Sequence, residues 1–347
     1  MTVGIIAANN IRYSPYIFFY TNLMDEIGVE YELIYPNRMN IEDSYAGTSY
    51  IIPWNKKVNT VFAYYDFTRK AKEIIQKKRY DLLIVLTTNN AVYMAHWLKR
   101  SYNKRYILDI RDYTHENISI YYSLEKVAVR NSLLNVISSI KFKEFLPSGE
   151  YVVCHNTSGN KDLYAPKLKH NSTLTIGYIG KGSYLEQCKK ICDKVCVDRR
   201  FIFAFYGLRT VPDSLKSYEK YDNIRFNGIF SPEEKETIIL NTDILFNVYG
   251  NGIPLLDYAL SNKLYDAFIY GKPILTSPNT FMSEMAGPFA FDMDFTSDSF
   301  LDDLYNWYNE LNEQDLMLYA QEKYKQILDE GKHAEQSIRQ AILQSLN

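Results

Sequence analysis

The sequence predicts an α/β protein built from two doubly wound, parallel-sheet domains. Three observations predict it. Short β-rich apolar runs recur along the whole chain and alternate with segments of helical spacing, the pattern of strand–helix–strand units. Some runs are apolar almost throughout, such as 81–86 (DLLIVL), which suits strands covered on both faces. A stretch of little periodicity at 157–172 divides the 347 residues into two parts of ordinary domain size.

In the first part, residues 2–8 (TVGIIAA) read as a buried strand. A loop of Asn9, Asn10, Ile11, Arg12, Tyr13 and Ser14 follows, and Pro15 opens a helix that runs through Phe18, Phe19 and Leu23 to Gly28. Such a loop lies at the carboxyl ends of the strands, where open α/β sheets bind ligands. Asn9 and Asn10 either face a ligand there or simply make the turn. Residues 29–35 alternate as a second strand, and 36–60, with Gly47 and Pro53, read as a meander of short strands or a mobile flap. A helix over 66–79 carries Arg69, Lys70, Lys72, Lys77, Lys78 and Arg79, either a solvated face or a contact with a membrane surface. Strand 81–86 ends in Thr87, Thr88, Asn89 and Asn90, followed by a helix to Arg100. Strand 105–110 exits into Arg111, Asp112, Tyr113, Thr114, His115 and Glu116; Asp109 with Arg111 and Asp112 is either only a structural ion pair or part of a strand-end site. Strands at 133–138 and 151–154 complete a domain over 1–156.

Residues 157–172 are the linker, and 173–331 form the second domain. Strand 174–179 ends in Gly180-Lys181-Gly182-Ser183. The glycines run G-x-x-G-x-G, so the dinucleotide fingerprint is absent, as is the P-loop. A glycine turn carrying Lys181 ahead of a helix approaches phosphate closely, or is only a tight turn. Cys188, Cys192 and Cys196 fall at i, i+4 and i+8 with no further ligand nearby, the mark of a buried helix face rather than a zinc site. Strands follow at 201–206 and 223–227, then a helix capped by Ser231 with Pro232, Glu233 and Glu234 in its first turn. Strand 243–248 leads into Tyr249, Gly250, Asn251 and Gly252. Asp292-Met293-Asp294 spells D-x-D after the last expected strand; hard-cation ligation there would need further oxygens, and no metal site is assigned. Residues 301–346 are helical with a break at Gly331.

Composition bounds the function. Net charge is −2, so neither a disordered chain nor a bulk nucleic-acid binder is expected. The first 156 residues carry a net +4 and the remainder −6. The basic half suits anionic lipid headgroups or a pyrophosphate-bearing acceptor, or reflects ordinary surface variation. No secretory leader is expected ahead of the first strand, no run reaches the ~18 apolar residues of a membrane span, and the cysteines fit a reducing cytosol. Tyrosine is abundant, with 31 residues, but no aromatic platform is read from it without clustering. No G-x-S-x-G or H-E-x-x-H motif is present, and His96, His170 and His333 stand isolated.

The stretch with most chemistry is 261–277, SNKLYDAFIYGKPILTS. Leu264, Ala267 and Phe268 fall at helical spacing, Gly271 ends the helix and Pro273 forbids its continuation. Asn262 and Lys263 stand at the amino end, where free N–H groups and the dipole favour anions. Asp266, one turn in, is placed to take two vicinal hydroxyls of a ribose, or is only a solvated first-turn acid. The physical reading is a site for a nucleotide diphosphate.

The pattern NKLYDA…GKPIL resembles the donor-site helix of GT-B glycosyltransferases, family 4 and the capsule and exopolysaccharide enzymes in particular. There the acid of E-A-x-x-x-G-x-P holds the donor ribose, and Asp266 falls at its place. The fuller pattern has another Glu eight residues earlier, where this chain has Tyr258. NNIRYSPYIFFY, DIRDYTHE, SSIKFKEFLP and IRFNGIFSPEE resemble further segments of these enzymes. The resemblance implies two Rossmann-like domains facing across a cleft, with a C-terminal helix, about 332–347, packed back on the first. It implies donor contacts from Gly180, Lys181, Gly182, Arg209, Asn227, Gly228, Tyr249, Asn262, Lys263 and Asp266. Acceptor contacts fall to Asn9, Asn10, Arg12, Tyr13, Asn89 and Asn90. Asp112 or His115 takes the acceptor proton or steadies sugar and phosphate. The implied substrates are a UDP- or GDP-sugar and a saccharide acceptor, polyprenyl-linked, in bacterial surface polysaccharide synthesis. No tightly bound cofactor and no metal are expected, with retention at the anomeric carbon and a cytoplasmic location at the inner membrane face. Two other readings stay open: a non-catalytic GT-B subunit partnering an active transferase, and a nucleotide-sugar epimerase.

Overall fold

A computed structural model describes residues 2–41, 47–54, 60–157 and 161–345. The chain divides into two compact units, Met1–Asn156 with Asp329–Asn347, and Thr157–Leu328.

The first unit holds a seven-stranded sheet of β1 (Thr2–Ile6), β2 (Glu30–Asn37), β3 (Ser49–Pro53), β4 (Leu82–Leu86), β5 (Tyr106–Ile110), β6 (Leu134–Ile137) and β7 (Val152–Val153). Their order is β3-β2-β1-β4-β5-β6-β7 and every pairing is parallel. β4 and β5 are buried at every residue, as strands covered on both faces must be. Helix α1 (Ile17–Ile27) packs against β2, and α2 (Thr60–Lys78), α3 (Thr88–Ser101) and α4 (Ser119–Asn131) pack side by side, as the crossovers of a doubly wound sheet place them. α1 ends where expected, at Gly28 with φ 66.

The second unit holds six parallel strands: β8 (Leu174–Ile179), β9 (Phe201–Tyr206), β10 (Ile224–Phe226), β11 (Ile244–Phe246), β12 (Ile274–Thr276) and β13 (Ala290–Asp292). Their order is β10-β9-β8-β11-β12-β13. Helices α5 (Leu185–Val195), α6 (Glu234–Leu240), α7 (Pro254–Tyr258), α8 (Asn262–Tyr270), α9 (Phe281–Ala286) and α10 (Phe300–Glu310) connect and cover them. α11 (Glu313–Gln344) gives Leu316, Ala320 and Ile327 to a core of the second unit, and Ala334, Ile338 and Ile342 to the core of β1, β2 and α1 in the first. On α5, Cys188 and Cys192 are fully buried and Cys196 partly so, all as free thiols.

Within 36–60, expected as a meander of short strands or a mobile flap, the short strand β3 forms and pairs in register with β2; 42–46 and 55–59 lie outside the described residues. Three sequence expectations need correction. Asn89 and Asn90 lie in the first turn of α3, not in a loop ahead of it. The last strand is β13, so Asp292 ends a strand that pairs with β12, where its carboxylate accepts from Thr276 Oγ1 at 2.7 Å. Gly331 does not break the last helix. The break falls at 311–312, where Asn312 Oδ1 accepts the N–H groups of Gln314 and Asp315 and caps α11. Burial of flanking turns absorbs the ~1 kcal/mol cost of a mid-helix glycine.

Candidate functional site

Both sheets reverse their strand order once, between β1 and β4 and between β8 and β11. Crevices at such switch points, outside the strand carboxyl ends, are where open α/β sheets hold ligands.

In the second unit, the loop after β8 is Gly180-Lys181-Gly182-Ser183. Tyr178 pins it: its hydroxyl accepts the Gly182 N–H at 3.0 Å and donates to the Ser183 carbonyl at 3.1 Å. Burial pushes this phenol up to about 12, which keeps the donated proton in place. Gly180 N–H bonds the Tyr206 carbonyl, and Gly207 N–H bonds the Gly228 carbonyl, so the ends of β8, β9 and β10 close on one another. Gly207 has φ 99, and a Cβ there would lie 2.6 Å from the Gly180 carbonyl oxygen; only glycine permits that approach. Asn227 is exposed, with its N–H bonded to the Phe205 carbonyl. Arg209 and Lys181 are exposed.

Across the switch point, the loop after β11 turns on Ser277, whose Oγ accepts the N–H groups of Tyr249 and Gly250 at 3.1 and 2.8 Å. Tyr249 stacks on Tyr184, with centroids 4.2 Å apart and planes at 19°. α8 begins immediately beyond. Ser261 caps it, accepting the Lys263 N–H at 3.2 Å and donating to Asn247 Oδ1 at 2.7 Å. The Leu264 N–H bonds the Ser261 carbonyl. Two of the first-turn N–H groups are therefore taken, and the cation at this end is the Lys263 side chain. Its ammonium is 2.8 Å from the Tyr249 hydroxyl and lies over the rings of Tyr249 and Tyr178. Asn262 is exposed. Asp266, with a side chain 13% exposed, accepts both its contacts from one ammonium: Lys235 Nζ is 2.9 Å from Oδ1 and 2.8 Å from Oδ2.

The first unit carries the other candidates. Asn10 is fully buried and ties the end of β1 to the end of β2, donating to Asn37 Oδ1 and accepting the Met39 N–H. Asn9 Oδ1 accepts the Asn10 N–H, and Arg12 and Tyr13 are exposed on a short 3-10 turn. Asn90 is buried, with its amide donating to the Leu86 carbonyl. Thr87, between β4 and α3, holds φ 77, a conformation that a β-branched residue rarely adopts.

After β5, Asp109 is buried in a bidentate pair with Arg111, which also donates to the Cys154 carbonyl and Asn156 Oδ1. The next residue, Asp112, reaches solvent, yet surrounding protein pushes its carboxyl up to about 6, with Arg111 opposing and Glu116 reinforcing. His115 is exposed, edge-on to Tyr121 at 5.5 Å. A polar chain joins the ends of β4 and β5. Tyr121 donates to Asn89 Oδ1, Thr114 Oγ1 meets Tyr121 at 2.7 Å, and it meets Glu116 Oε1 at 3.0 Å. Burial raises the Glu116 pKa, while the N–H and hydroxyl of Thr114, which both donate to its carboxylate, oppose the shift.

Sequence reading missed Tyr178, Tyr184, Ser277 and Lys235. The abundant tyrosines were a usable signal only once three of them met around Lys263. Asp294 accepts from the N–H and hydroxyl of Thr296, so it shapes its own loop. Among the described residues no group of three or more His, Cys, Asp or Glu side chains could hold a metal ion, and no helix is long and apolar enough to cross a membrane.

No protein-family model matches the sequence, and no curated protein matches it. Solved structures do resemble it. Sucrose-phosphate synthase from Thermosynechococcus elongatus superposes with a TM-score of 0.71 at 11% identity, covering 99% of each chain. The lipopolysaccharide outer core galactosyltransferase WaaB, in its apo form, gives 0.66 at 13% identity and again 99% of each chain. Anabaena HepE, solved with UDP and glucose, gives 0.64 at 11% identity, over 97% of this chain and 99% of that one. At these identities the likeness establishes the fold: two parallel-sheet, Rossmann-like α/β units of the GT-B glycosyltransferase kind.

Proposed function

We propose that the chain is a glycosyltransferase that moves a sugar from a nucleotide diphosphate to a saccharide acceptor. The second unit takes the donor and the first unit the acceptor. The observation that carries this reading is the cluster at the second switch point. Lys263 stands over Tyr249 and Tyr178, Tyr249 stacks on Tyr184, and Asp266 presents a mostly buried carboxylate one turn further into α8. Lys263, with Lys181 and Arg209, suits the two phosphates; Asp266 suits the ribose diol; Asn227 and Gly228 flank the base. The bond broken is that between the anomeric carbon and the diphosphate oxygen, and charge builds on the leaving oxygen. Preorganised cations at that point lower the barrier most. The acceptor hydroxyl forms the new bond and gives its proton to Asp112 or His115.

The finer reading is a family 4-like enzyme of capsule or exopolysaccharide type that retains anomeric configuration without a metal. Its acceptor is a polyprenyl-linked saccharide, and its basic first unit meets the inner membrane face as a peripheral contact. Similarity to a lipopolysaccharide galactosyltransferase supports the surface-glycan assignment.

The test is a thermal-shift panel of UDP, GDP, dTDP, CMP and NAD. A nucleotide diphosphate at a hundredfold excess over its dissociation constant should stabilise the fold by about 2.7 kcal/mol. Stabilisation by NAD alone removes the reading. Tyr258, at the place of the pattern's first Glu, favours a second one: a non-catalytic subunit that binds no donor productively and co-purifies with an active transferase. Turnover of a nucleotide sugar without any acceptor would instead mark an epimerase.

A further inference from the structure

We infer that Lys235 is a positioning residue for the Asp266 carboxylate and, through it, sets the preference for ribo- over 2′-deoxyribonucleotides. The inference rests on the donor-site reading above. Lys235 is the second residue of α6, and its ammonium straddles the two carboxylate oxygens of Asp266 almost evenly, at 2.9 and 2.8 Å. A carboxylate bridged in this way has its torsion fixed. Each oxygen still keeps lone-pair capacity, because an ionised carboxylate offers about four acceptor positions and the ammonium uses two. A vicinal diol brings two O–H donors, so it needs both oxygens held and both still able to accept.

Packing does not demand this ion pair. α6 and α8 are already joined further along their length: the Tyr270 hydroxyl donates to Glu236, and the Lys272 ammonium donates to the Leu240 carbonyl at 2.9 Å. Ile239, Leu264, Ala267 and Phe268 share one core between the two helices. Lys235 instead reaches from the amino end of α6 to the middle of α8, where Asp266 is the fifth of nine residues. Its side chain is 41% exposed, so as a purely structural contact it would contribute little.

The experiment measures affinities of the intact chain for UDP, GDP, 2′-deoxy-UDP and 2′-deoxy-GDP by titration calorimetry. Wild type is compared with K235M, K235R and D266N. Wild type should prefer the ribo form of the nucleotide it binds by about tenfold or more, the worth of a charge-assisted hydrogen bond. K235M and D266N should both lose that preference by weakening the ribo form more than the 2′-deoxy form, and K235R should keep it. If K235M fails to fold, or weakens the ribo and deoxy forms equally, Lys235 is merely structural and the inference is overturned. If D266N loses the preference while K235M keeps it, Asp266 holds the ribose without Lys235, and only this inference fails. If wild type does not distinguish the two sugars, or binds neither UDP nor GDP, the ribose reading itself fails and takes the inference with it.

Discussion

Tyr184 and Tyr249 lie ring on ring, 4.2 Å between centroids, across the point where the second sheet reverses its strand order. The two rings come from loops 65 positions apart and meet because β8 and β11 are neighbours. Lys263 rests its ammonium against Tyr249, 2.8 Å from its hydroxyl. The arrangement holds a cation in place before any ligand arrives, which is what a site for developing negative charge requires.

If Lys263 serves the diphosphate, its loss should be felt by phosphates and not by the base. Lys263→Met should weaken UDP or GDP binding roughly tenfold to a hundredfold, as expected for one charge-assisted hydrogen bond, and leave uridine or guanosine binding nearly unchanged. Tyr249→Phe, which removes only the hydroxyl that steadies the ammonium, should act in the same direction and less. Calorimetry with nucleoside and nucleotide side by side decides it; an equal loss for both would show that the substitution had disturbed the loop.

Surrounding protein pushes the Asp112 carboxyl up to about 6, although it reaches solvent. If Asp112 is the proposed proton acceptor it works ionised, so kcat/KM should rise with pH through about 6 and level off above it. Asp112→Asn should lower turnover by roughly a hundredfold to ten-thousandfold and abolish that limb of the profile. Should His115→Ala remove the limb while Asp112→Asn leaves it, the proton goes to the imidazole instead.

Glu125 on α4 is fully buried, with neither oxygen bonded to a protein partner, and its carboxyl is pushed up to about 9 by burial and by Glu116. An acid whose pKa is raised on folding binds more protons in the native state than in the unfolded one. Stability attributable to it is therefore present below the ordinary carboxylate range and is lost as pH rises towards 9. Glu125→Gln should match wild type near pH 4 and gain on it by about 1 kcal/mol per pH unit above that, in urea melts across the range. A gap that stays constant with pH would mean that Glu125 ionises freely in the folded chain.

Most of the fold was legible because it rests on local chemistry. Gly28 and Gly271 adopt the left-handed conformation that ends α1 and α8, and the apolar runs of β4 and β5 are buried on both faces as their composition requires. Gly331 misled for the same reason: an isolated glycine carries a break signal, while the packing of Ala334 and Ile338 that overrides it is tertiary. The candidate site was legible where one short segment supplies it, as with Lys263 and Asp266. It was not where partners come from distant loops. Nothing near Lys235 in sequence announces Asp266, and nothing around Asn10 or Asn90 announces that their amide groups donate inside the fold.

The glycine loop itself yields the sharpest structural test. Gly207 and Gly182 both have positive φ, at 99° and 95°, so alanine strains either backbone. Their surroundings differ. A Cβ on Gly182 meets only the Leu208 side chain, at 3.4 Å, whereas one on Gly207 meets the Gly180 carbonyl oxygen at 2.6 Å. Gly182→Ala should cost about 1 kcal/mol in urea melts, the strain alone. Gly207→Ala should cost roughly 3 kcal/mol, because it must also push the Gly180-Lys181 turn away from β9. The displaced turn carries Lys181, so Gly207→Ala should weaken nucleotide diphosphate binding as well, although Gly207 has no side chain to touch a ligand. Equal destabilisation by the two substitutions would mean that the loop yields freely and is not held at the distance its glycines allow.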